Sequence, residues 1–464
     1  SLNGVIQAPI DAFTIVNDTI VFASSLASSD VINFILVLGN VNDIGTPSDD
    51  TITAAKLNNT AISGLSALAA TPDDTDELMI SDAGTLKRID YSHLKSSVVN
   101  RPNALPIIIN GDMAVAQRST SVTGVTTDGY KTCDRIRPSF TGGGIGTYTF
   151  IQESLTSGNA FANGFTKAFR LDCTTADASP AAGDYFYLAY KIEGNNLQAF
   201  KKGTANAQKM TLAFWVKSNK TGTAQVNMND QDNTRMCSGT YTISSANTWE
   251  HKVINIAADT TGAFDNDNAN SMQIEWWLDG GSNFQGGAVP TAWEARSNTD
   301  RGVSDLAIAD STSNDFAITG IQLEVGEYTS STLPPFQHES FGDNLARCQR
   351  YYYKLAEGNN KFIGVGSAYS SSVLQVMMEF PTSMRADATL DVVAGTNYYV
   401  SYGTIAAQGG GGNDVFNTFS GVVQSSSHDK VMSDGSTSIG VDGGNVYYVR
   451  TNDSASYLGF SAEL

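Results

Sequence analysis

Apolar and polar residues alternate with a period of two along much of this chain, which is the pattern of half-buried β-strands. In LAFWVKS at 212–218, Leu212, Phe214 and Val216 predict the buried face, and Trp215 and Lys217 fall on the other. In QIEWWL at 273–278, the even positions are again apolar, whereas Gln273, Glu275 and Trp277 fall on the opposite face. Many such short segments between turn residues at about 105–335 predict a jelly-roll β-sandwich.

The first 40 residues predict a small β-module. AFTIV at 12–16 and TIVFA at 19–23 flank an Asn17-Asp18 turn and predict a hairpin. The most apolar run, VINFILVL at 31–38, is short and rich in β-branched residues, so it is interpreted as a buried strand.

From about 41 to 104 apolar residues become sparse and are separated by Asp, Asn, Thr, Ser and Gly. Such a segment buries too little surface on its own to offset an ordering cost of about 1–2 kcal/mol per residue. It is either a disordered linker or an extended shaft that shares its apolar residues with copies of itself. The shared core is favoured, because a flexible linker does not need an Ile or Leu every few residues. A short helix is predicted near 91–99, capped by Asp90.

Residues 336–464 predict a linking helix followed by a β-rich tip domain. Phe341, Leu345, Cys348 and Tyr352 recur at helical spacing, so the helix is expected to pack on the sandwich or on a neighbouring chain. The whole chain is therefore assigned to the all-β class.

Composition narrows the choice of partners. The 464 residues carry 28 basic and 47 acidic side chains, a formal charge of −19, which disfavours binding to phosphate backbones and anionic membranes. The acidic charge therefore predicts no nucleic-acid binding. No apolar run approaches the roughly 20 residues of a membrane span, so membrane insertion is not expected either. The four cysteines are widely scattered, which predicts buried free thiols and fits assembly in a reducing cytoplasm.

Several segments resemble bacteriophage virion proteins. FQHESFGDNLARCQRYYYK at 336–354 and MEFPTSMRADATL at 378–390 resemble the C-terminal signature of phage tail fibres and related appendages. The segments at 49–57 and 76–95 resemble shaft-and-collar regions, in which three chains intertwine. The segments at 108–118, 128–138, 212–218, 247–256 and 318–326 resemble the galactose-binding-like jelly roll of phage appendages and carbohydrate-binding modules. The resemblance implies a homotrimer in the virion that joins other tail proteins through its N-terminal side.

Catalytic motifs are not found in the sequence. HESFG at 338–342 does not match the HExxH zinc pattern, because its fifth position is Gly342, and no nucleophile elbow precedes a helix. With 47 acidic residues, any chosen acid/base pair for glycoside hydrolysis is arbitrary. We expect no enzymatic activity and no cofactor.

Aromatic residues offer the main binding candidates. Trp277, Trp215 and Trp293 are either sugar platforms or core residues of a large sandwich, with Gln273 and Glu275 placed to bond hydroxyl groups. Near the tip, Tyr398-Tyr399 and Tyr447-Tyr448 are adjacent pairs, so one ring of each pair lies on either face of its strand. Tyr398 and Tyr447 are taken as the receptor-binding candidates.

The segment FDNDNAN at 264–270 supplies clustered oxygen atoms, and Asp265 and Asp267 resemble the start of a calcium loop. The usual glycine is missing, however, and Glu275 lies one position early. The alternative is a solvated turn.

Together these patterns predict a tail-fibre protein that binds a host surface receptor, a glycan or an outer-membrane protein, during adsorption. A virion-associated glycan depolymerase and a purely structural tail connector remain the alternatives. Whether the sandwich face or the C-terminal tip contacts the receptor is left open, with the tip favoured because a distal end meets the cell first.

Overall fold

The computed structural model describes residues 1–36, 64–70, 72–96, 105–141, 144–370, 372–403, 413–427, 430–435 and 446–464. The chain divides into two compact units, Ser1–Ser92 and His93–Leu464. The all-β prediction is confirmed, since almost every element is an antiparallel strand. The finer boundaries at 40, 104 and 335 stay predictions.

The first unit consists of two hairpins. Its strands are β1 (Phe13–Val16), β2 (Thr19–Phe22), β3 (Glu77–Asp82) and β4 (Thr85–Asp90). The predicted turn is confirmed: β1 pairs with β2 across Asn17, whose positive φ of 56° suits a tight turn. Helix α1 (Tyr91–Ser96) follows β4, and positions 97–99 of the predicted helix lie outside the described residues.

The prediction of a buried strand at VINFILVL is wrong for its described part. Residues 31–36 form only an isolated bridge between Ile32 and Leu2, and Phe34 and Leu36 are 54% and 73% exposed. The run lacks the polar alternation that gives a strand one inner face, and no described segment of this chain covers it. Its last two residues lie outside the described part of the chain.

Two six-stranded sheets form the sandwich. The first sheet has the order β13-β10-β16-β8-β7-β5, with β5 (Ser121–Val125), β7 (Thr147–Ser154), β8 (Lys167–Thr175), β10 (Met210–Ser218), β13 (Glu250–Ile256) and β16 (Asp315–Val325). The second has the order β15-β12-β11-β14-β9-β6, with β6 (Arg137–Phe140), β9 (Tyr185–Glu193), β11 (Gly222–Asp230), β12 (Arg235–Ile243), β14 (Asn270–Gly280) and β15 (Glu294–Ala295). A short helix α2 (Gly158–Ala162) lies between β7 and β8.

The main hydrophobic core lies between these sheets. Phe214 of β10 packs edge-on against Trp276 of β14, with ring centroids 5.8 Å apart, and against Tyr241 of β12 at 5.1 Å. The even-numbered residues of 212–216 and 274–278 all belong to this core. The alternation predicted for both strands is therefore confirmed.

Helix α3 (Phe341–Gln349) leads from the sandwich to the C-terminal sheets. The hydroxyl of Ser340 caps the helix by accepting a hydrogen bond from the N–H of Asp343 at 3.2 Å. Cys348 is buried beside Ile109 and Val115, so the helix packs on the segment that opens the sandwich. Phe341, in contrast, is exposed.

The C-terminal sheets have three and seven strands. The smaller, with order β17-β26-β20, contains β17 (Tyr352–Glu357), β20 (Thr389–Val392) and β26 (Tyr457–Ser461). The larger, with order β22-β21-β25-β18-β19-β24-β23, contains β18 (Phe362–Ser370), β19 (Val373–Glu379), β21 (Tyr399–Gly403), β22 (Asn413–Phe416), β23 (Phe419–Ser427), β24 (Lys430–Gly435) and β25 (Val446–Thr451).

The signature arginines attach these sheets to the sandwich. Arg350 donates two hydrogen bonds to the carboxylate of Glu193 on β9, at 2.9 and 2.7 Å, and the hydroxyl of Tyr351 donates to the same carboxylate. Arg385 donates to the backbone carbonyl of Asn268 in the sandwich at 2.8 Å. The signature therefore specifies a joint between two parts of the fold.

A buried ion pair lies beside this joint. Arg135 and Glu463 form a salt bridge in which both side chains are almost fully buried, and Arg118 donates to the other carboxylate oxygen at 3.2 Å. The Arg135 guanidinium stacks 3.5 Å from the ring centroid of Tyr351, and that of Arg118 lies 3.6 Å from that of Tyr352. Two arginines thus bind one carboxylate, and each of them stacks on a tyrosine ring.

All four cysteines are free and buried, as the sequence predicts. Within the described ranges, no helix has the length and apolar character that a membrane crossing requires.

Candidate functional site

The outer face of the second sheet brings together three predicted site residues. Gln273 and Trp277 donate hydrogen bonds to the carboxylate of Glu275, at 2.7 and 3.0 Å. Arg301, from the segment between β15 and β16, donates to the same carboxylate at 2.8 Å. Asn227 of β11, opposite Glu275 in register, lies at 3.5 Å. The strand pattern predicts that the three residues share a face, but the roles of Arg301 and Asn227 depend on non-local contacts.

These donors occupy both oxygen atoms of the Glu275 carboxylate. Burial alone would raise the pKa of its carboxyl group, but the Arg301 guanidinium and the surrounding hydrogen bonds hold that pKa below its ordinary value. The side chain has no exposed surface. It fixes the loop of Arg301 to the sheet, and a ligand hydroxyl has no direct access to it.

Trp277 is buried as well, which corrects the sugar-platform hypothesis for this residue. Its indole stacks against Tyr187 at 5.3 Å between ring centroids and contacts Phe284 at 5.1 Å. Gly302 passes so close that an added Cβ would lie 2.6 Å from the indole. Phe284 and the segment between β15 and β16 therefore cover the face that a sugar would need.

The other two tryptophans differ in exposure. Trp293 is buried: its N–H donates to the carbonyl of Ala257 at 2.7 Å, and its ring lies 4.7 Å from the ammonium of Lys202. Because its ring is buried, the sugar-platform hypothesis is corrected for Trp293 as well. Trp215 is half-buried on the outer face of the first sheet and lies 5.0 Å from the ring of His251.

The tyrosine pairs alternate as predicted, but the exposed rings are not the ones selected from the sequence. Tyr447 is buried in the core of the C-terminal sheets, and Tyr398 packs half-buried against that core. Tyr448 points to the opposite face, where it stacks on Tyr402 at 4.9 Å with nearly parallel rings. The structure therefore corrects Tyr447 as a binding candidate, because its ring is buried in the core that the larger sheet shares with Leu458 and Phe460 of the smaller sheet.

Tyr448 belongs to an exposed row that crosses four strands. In register, Tyr402, Tyr448, Val365 and Met377 lie side by side on β21, β25, β18 and β19. Tyr448, Val365 and Met377 are 38%, 50% and 57% exposed. We call this row, with Arg450 beside it, the tyrosine face.

Arg450 adds a charge to the tyrosine face. Its guanidinium lies 4.2 Å from the ring centroid of Tyr402 and 5.3 Å from that of Tyr448. Phe362, the cross-strand partner of Arg450, is also exposed. The alternation of the strands could have located this face in the sequence, had the buried side of the sheet been known.

The titration of the Asp279 carboxyl group, in the sandwich, is shifted toward neutral pH. Burial raises the pKa of Asp279, at the end of β14, to about 7, and the charge of nearby Asp305 acts in the same direction. Because the folded state holds this proton more tightly than the unfolded chain, the group's contribution to stability is full below its ordinary pKa of 3.8 and is lost as pH rises to about 7.

Replacing Asp279 with asparagine is therefore expected to remove the loss of unfolding free energy that this carboxyl group causes as pH rises. Relative to the unaltered chain, Asp279→Asn should gain up to about 1.4 kcal/mol per pH unit between pH 5 and 7. Urea unfolding at pH 5, 6 and 7 measures the difference, which cancels the titration of all other groups. Parallel profiles for the two chains would contradict the shifted titration.

The predicted calcium ligands receive no support. Across the described ranges, no three His, Cys, Asp or Glu side chains come together to hold a metal ion. The Asp267 carboxylate instead accepts a hydrogen bond from the N–H of Ala269 at 2.9 Å, and the N–H of Asp265 donates to Asp232.

Comparisons with known proteins give only distant structural likenesses. No protein-family model matches the chain, and no curated protein matches its sequence. Solved structures that it resembles include an enzymatically active domain of tailspike protein 4 from bacteriophage CBA120, with a TM-score of 0.25 and 14% identity over 47% of this chain and 21% of that one. A family 30 carbohydrate-binding module has a TM-score of 0.25 and 12% identity over 52% of this chain and 97% of its own. A family 11 module from Clostridium thermocellum, in complex with a mixed-linked tetrasaccharide, has a TM-score of 0.23 and 10% identity over 45% and 97%.

This chain spans about a fifth of the length of the tailspike structure. TM-scores this low do not assign the protein to a class. Its own sheets define an antiparallel β-sandwich followed by a second β-rich region.

Proposed function

We propose that this chain is a phage tail-fibre protein that binds a glycan receptor on the host surface through the tyrosine face, without catalysis. The observation that carries the proposal is the exposed row of Tyr448, Val365 and Met377 beside Arg450. The assignment to a phage rests on the signature at 336–354 and 378–390, whose arginines form the joint described above.

The composition of the tyrosine face suits recognition. Tyrosine, phenylalanine, methionine and arginine are the residue types enriched in binding interfaces, and all four occur here. A contiguous exposed apolar patch on a soluble protein commonly marks a binding surface. The stacked rings of Tyr402 and Tyr448 are held by each other and by Arg450, so little side-chain entropy is lost when a receptor binds.

A non-catalytic role is supported by the state of Glu275. The carboxylate that the sequence places nearest a sugar platform is buried and engaged by its neighbours, with a lowered pKa. A general acid would need the opposite shift. The alternative depolymerase remains directly testable: incubation of purified receptor glycan with the full chain should release no oligosaccharides, and new reducing ends would favour the enzyme.

Truncating Tyr448 is expected to weaken adsorption strongly. Loss of a central aromatic contact typically costs about 2 kcal/mol or more, so Tyr448→Ala should reduce single-site affinity for host cells by roughly 30-fold. Binding of the fluorescently labelled full chain to host cells, at equal concentrations of variant and parent, measures the change.

A matched variant separates the two candidate faces. Tyr185 is half-buried on the outer face of the second sheet, so Tyr185→Ala should leave cell binding intact if the tyrosine face is the contact surface. Loss of binding in Tyr185→Ala alone would move the site to the sandwich. Unimpaired binding by both variants would leave the structural-connector alternative.

A further inference from the structure

A second concave site lies at the joint between the sandwich and helix α3, away from the tyrosine face. It is a cleft of about 540 Å³, within the roughly 300–1,000 Å³ range of small-molecule sites. Part of its lining is apolar and comes from the segment 105–109, and another part carries the side-chain amides of Asn195, Asn196 and Gln198. Arg347 and Arg350 line the same cleft.

The charged groups of the cleft balance one another. Arg350 is bound by both carboxylate oxygens of Glu193, and Arg347 donates to Glu339 at 2.6 Å and to the carbonyl of Pro106 at 2.6 Å. Two arginines and two glutamates therefore leave no net charge to attract an anion. The amides and the remaining arginine N–H groups still offer hydrogen bonds.

The amide wall is preformed. The N–H of Asn195 donates to the carbonyl of Asp267 at 2.8 Å, and the Gln198 side chain donates to the carbonyl of Gly194 at 2.9 Å. Gly194 is required at this bend, because an added Cβ would lie 2.0 Å from the carbonyl oxygen of Asp265. Asn196 is exposed, and the side-chain amide of Asn195 donates to the carboxylate of Glu193 at 3.4 Å.

We propose that this cleft binds a neutral sugar unit, whose C–H face lies on Leu105, Pro106 and Ile107 and whose hydroxyl groups bond to Asn195 and Asn196. A lining that combines apolar side chains with uncharged amides matches a pyranose ring, which offers both C–H groups and hydroxyl groups. The site is independent of the tyrosine face and does not require that face to bind glycan.

The test uses the full chain and four neutral sugars, glucose, galactose, mannose and N-acetylglucosamine, with glucuronate as the charged comparison. Saturation-transfer difference NMR should detect at least one neutral sugar in the millimolar range and no preference for glucuronate. Asn196→Ala should weaken that binding by about 2- to 10-fold through loss of its hydrogen bonds, and Asn196→Trp should abolish it by filling the cleft.

Asn206→Trp is the matched control, because Asn206 is an exposed asparagine of the sandwich that does not line this cleft. It should bind sugar like the parent chain, as should Tyr448→Ala, which tests the tyrosine face alone. Circular dichroism of each variant verifies folding. The proposal is overturned if no neutral sugar binds, if glucuronate binds in preference, or if Asn196→Trp and Asn206→Trp bind equally well.

Discussion

Replacing Arg135 with alanine is expected to lower the free energy of unfolding of the second unit by about 3–5 kcal/mol, because it leaves a buried carboxylate without its main partner. The Arg135 side chain is 1% exposed and that of Glu463 is 7% exposed. The substitution also removes the stacking on Tyr351 and a hydrogen bond at 2.7 Å to the carbonyl of Lys191. Denaturant unfolding followed by tryptophan fluorescence, at fixed chain concentration, measures the loss.

Arg137 supplies a control two residues away. It pairs with Asp128 at 2.9 Å, but both side chains are substantially more exposed, so Arg137→Ala should cost less than about 1 kcal/mol from that pair. A double-mutant cycle between Arg135→Ala and Glu463→Gln should give a coupling of about 0.5–3 kcal/mol. Equal destabilisation by Arg135→Ala and Arg137→Ala would contradict the role of the buried pair.

The full chain is expected to be a homotrimer whose subunits cover one another's N-terminal hairpins. No residue described in the first unit is buried. In β1 and β2, Phe13, Ile15, Ile20 and Phe22 share one apolar face, and Ile15 is 66% exposed. Two-stranded hairpins are marginal in water, so we expect these faces to need a partner surface, which copies of the same chain would supply in equal number.

Light scattering should therefore give three times the mass of one chain at micromolar concentration. A lysine on the apolar face of the first hairpin, in the variant Ile15→Lys, should dissociate the assembly, because a buried unpaired ammonium is costly. Thr14→Lys places the same charge one residue away on the opposite face and should preserve the trimer. A folded monomer of the unaltered chain would refute the shared core.

The joint between the sandwich and the C-terminal sheets shows how far a sequence signature can be interpreted. The resemblance at 336–354 predicts host recognition, but Arg350 and Tyr351 bond to Glu193. Arg135 and Glu463 are 328 positions apart in the chain. A contact at that separation leaves no local trace that periodicity could reveal.

Trp276 and Trp277, adjacent on β14, show which features the sequence predicts and which depend on the tertiary structure. Their opposite orientations follow from the pleat, which sends successive side chains to opposite faces whatever surrounds them. Both indoles are nevertheless fully buried, Trp276 by the facing sheet and Trp277 by the loop that carries Gly302. The strand pleat likewise sends Tyr447 and Tyr448 to opposite faces, but only the tertiary structure shows that the ring of Tyr447 is buried and that of Tyr448 is exposed.

The sequence by itself therefore determined the all-β class, the first hairpin, the linking helix α3 and the division of each strand into two faces. These are local properties, set by backbone geometry and by residues within a few positions of one another. The tertiary structure decided which faces are covered, which carboxylates are neutralised, and where the tyrosine face and the amide-lined cleft lie. Those features depend on contacts between distant segments, and a chain shows such contacts only once it is folded.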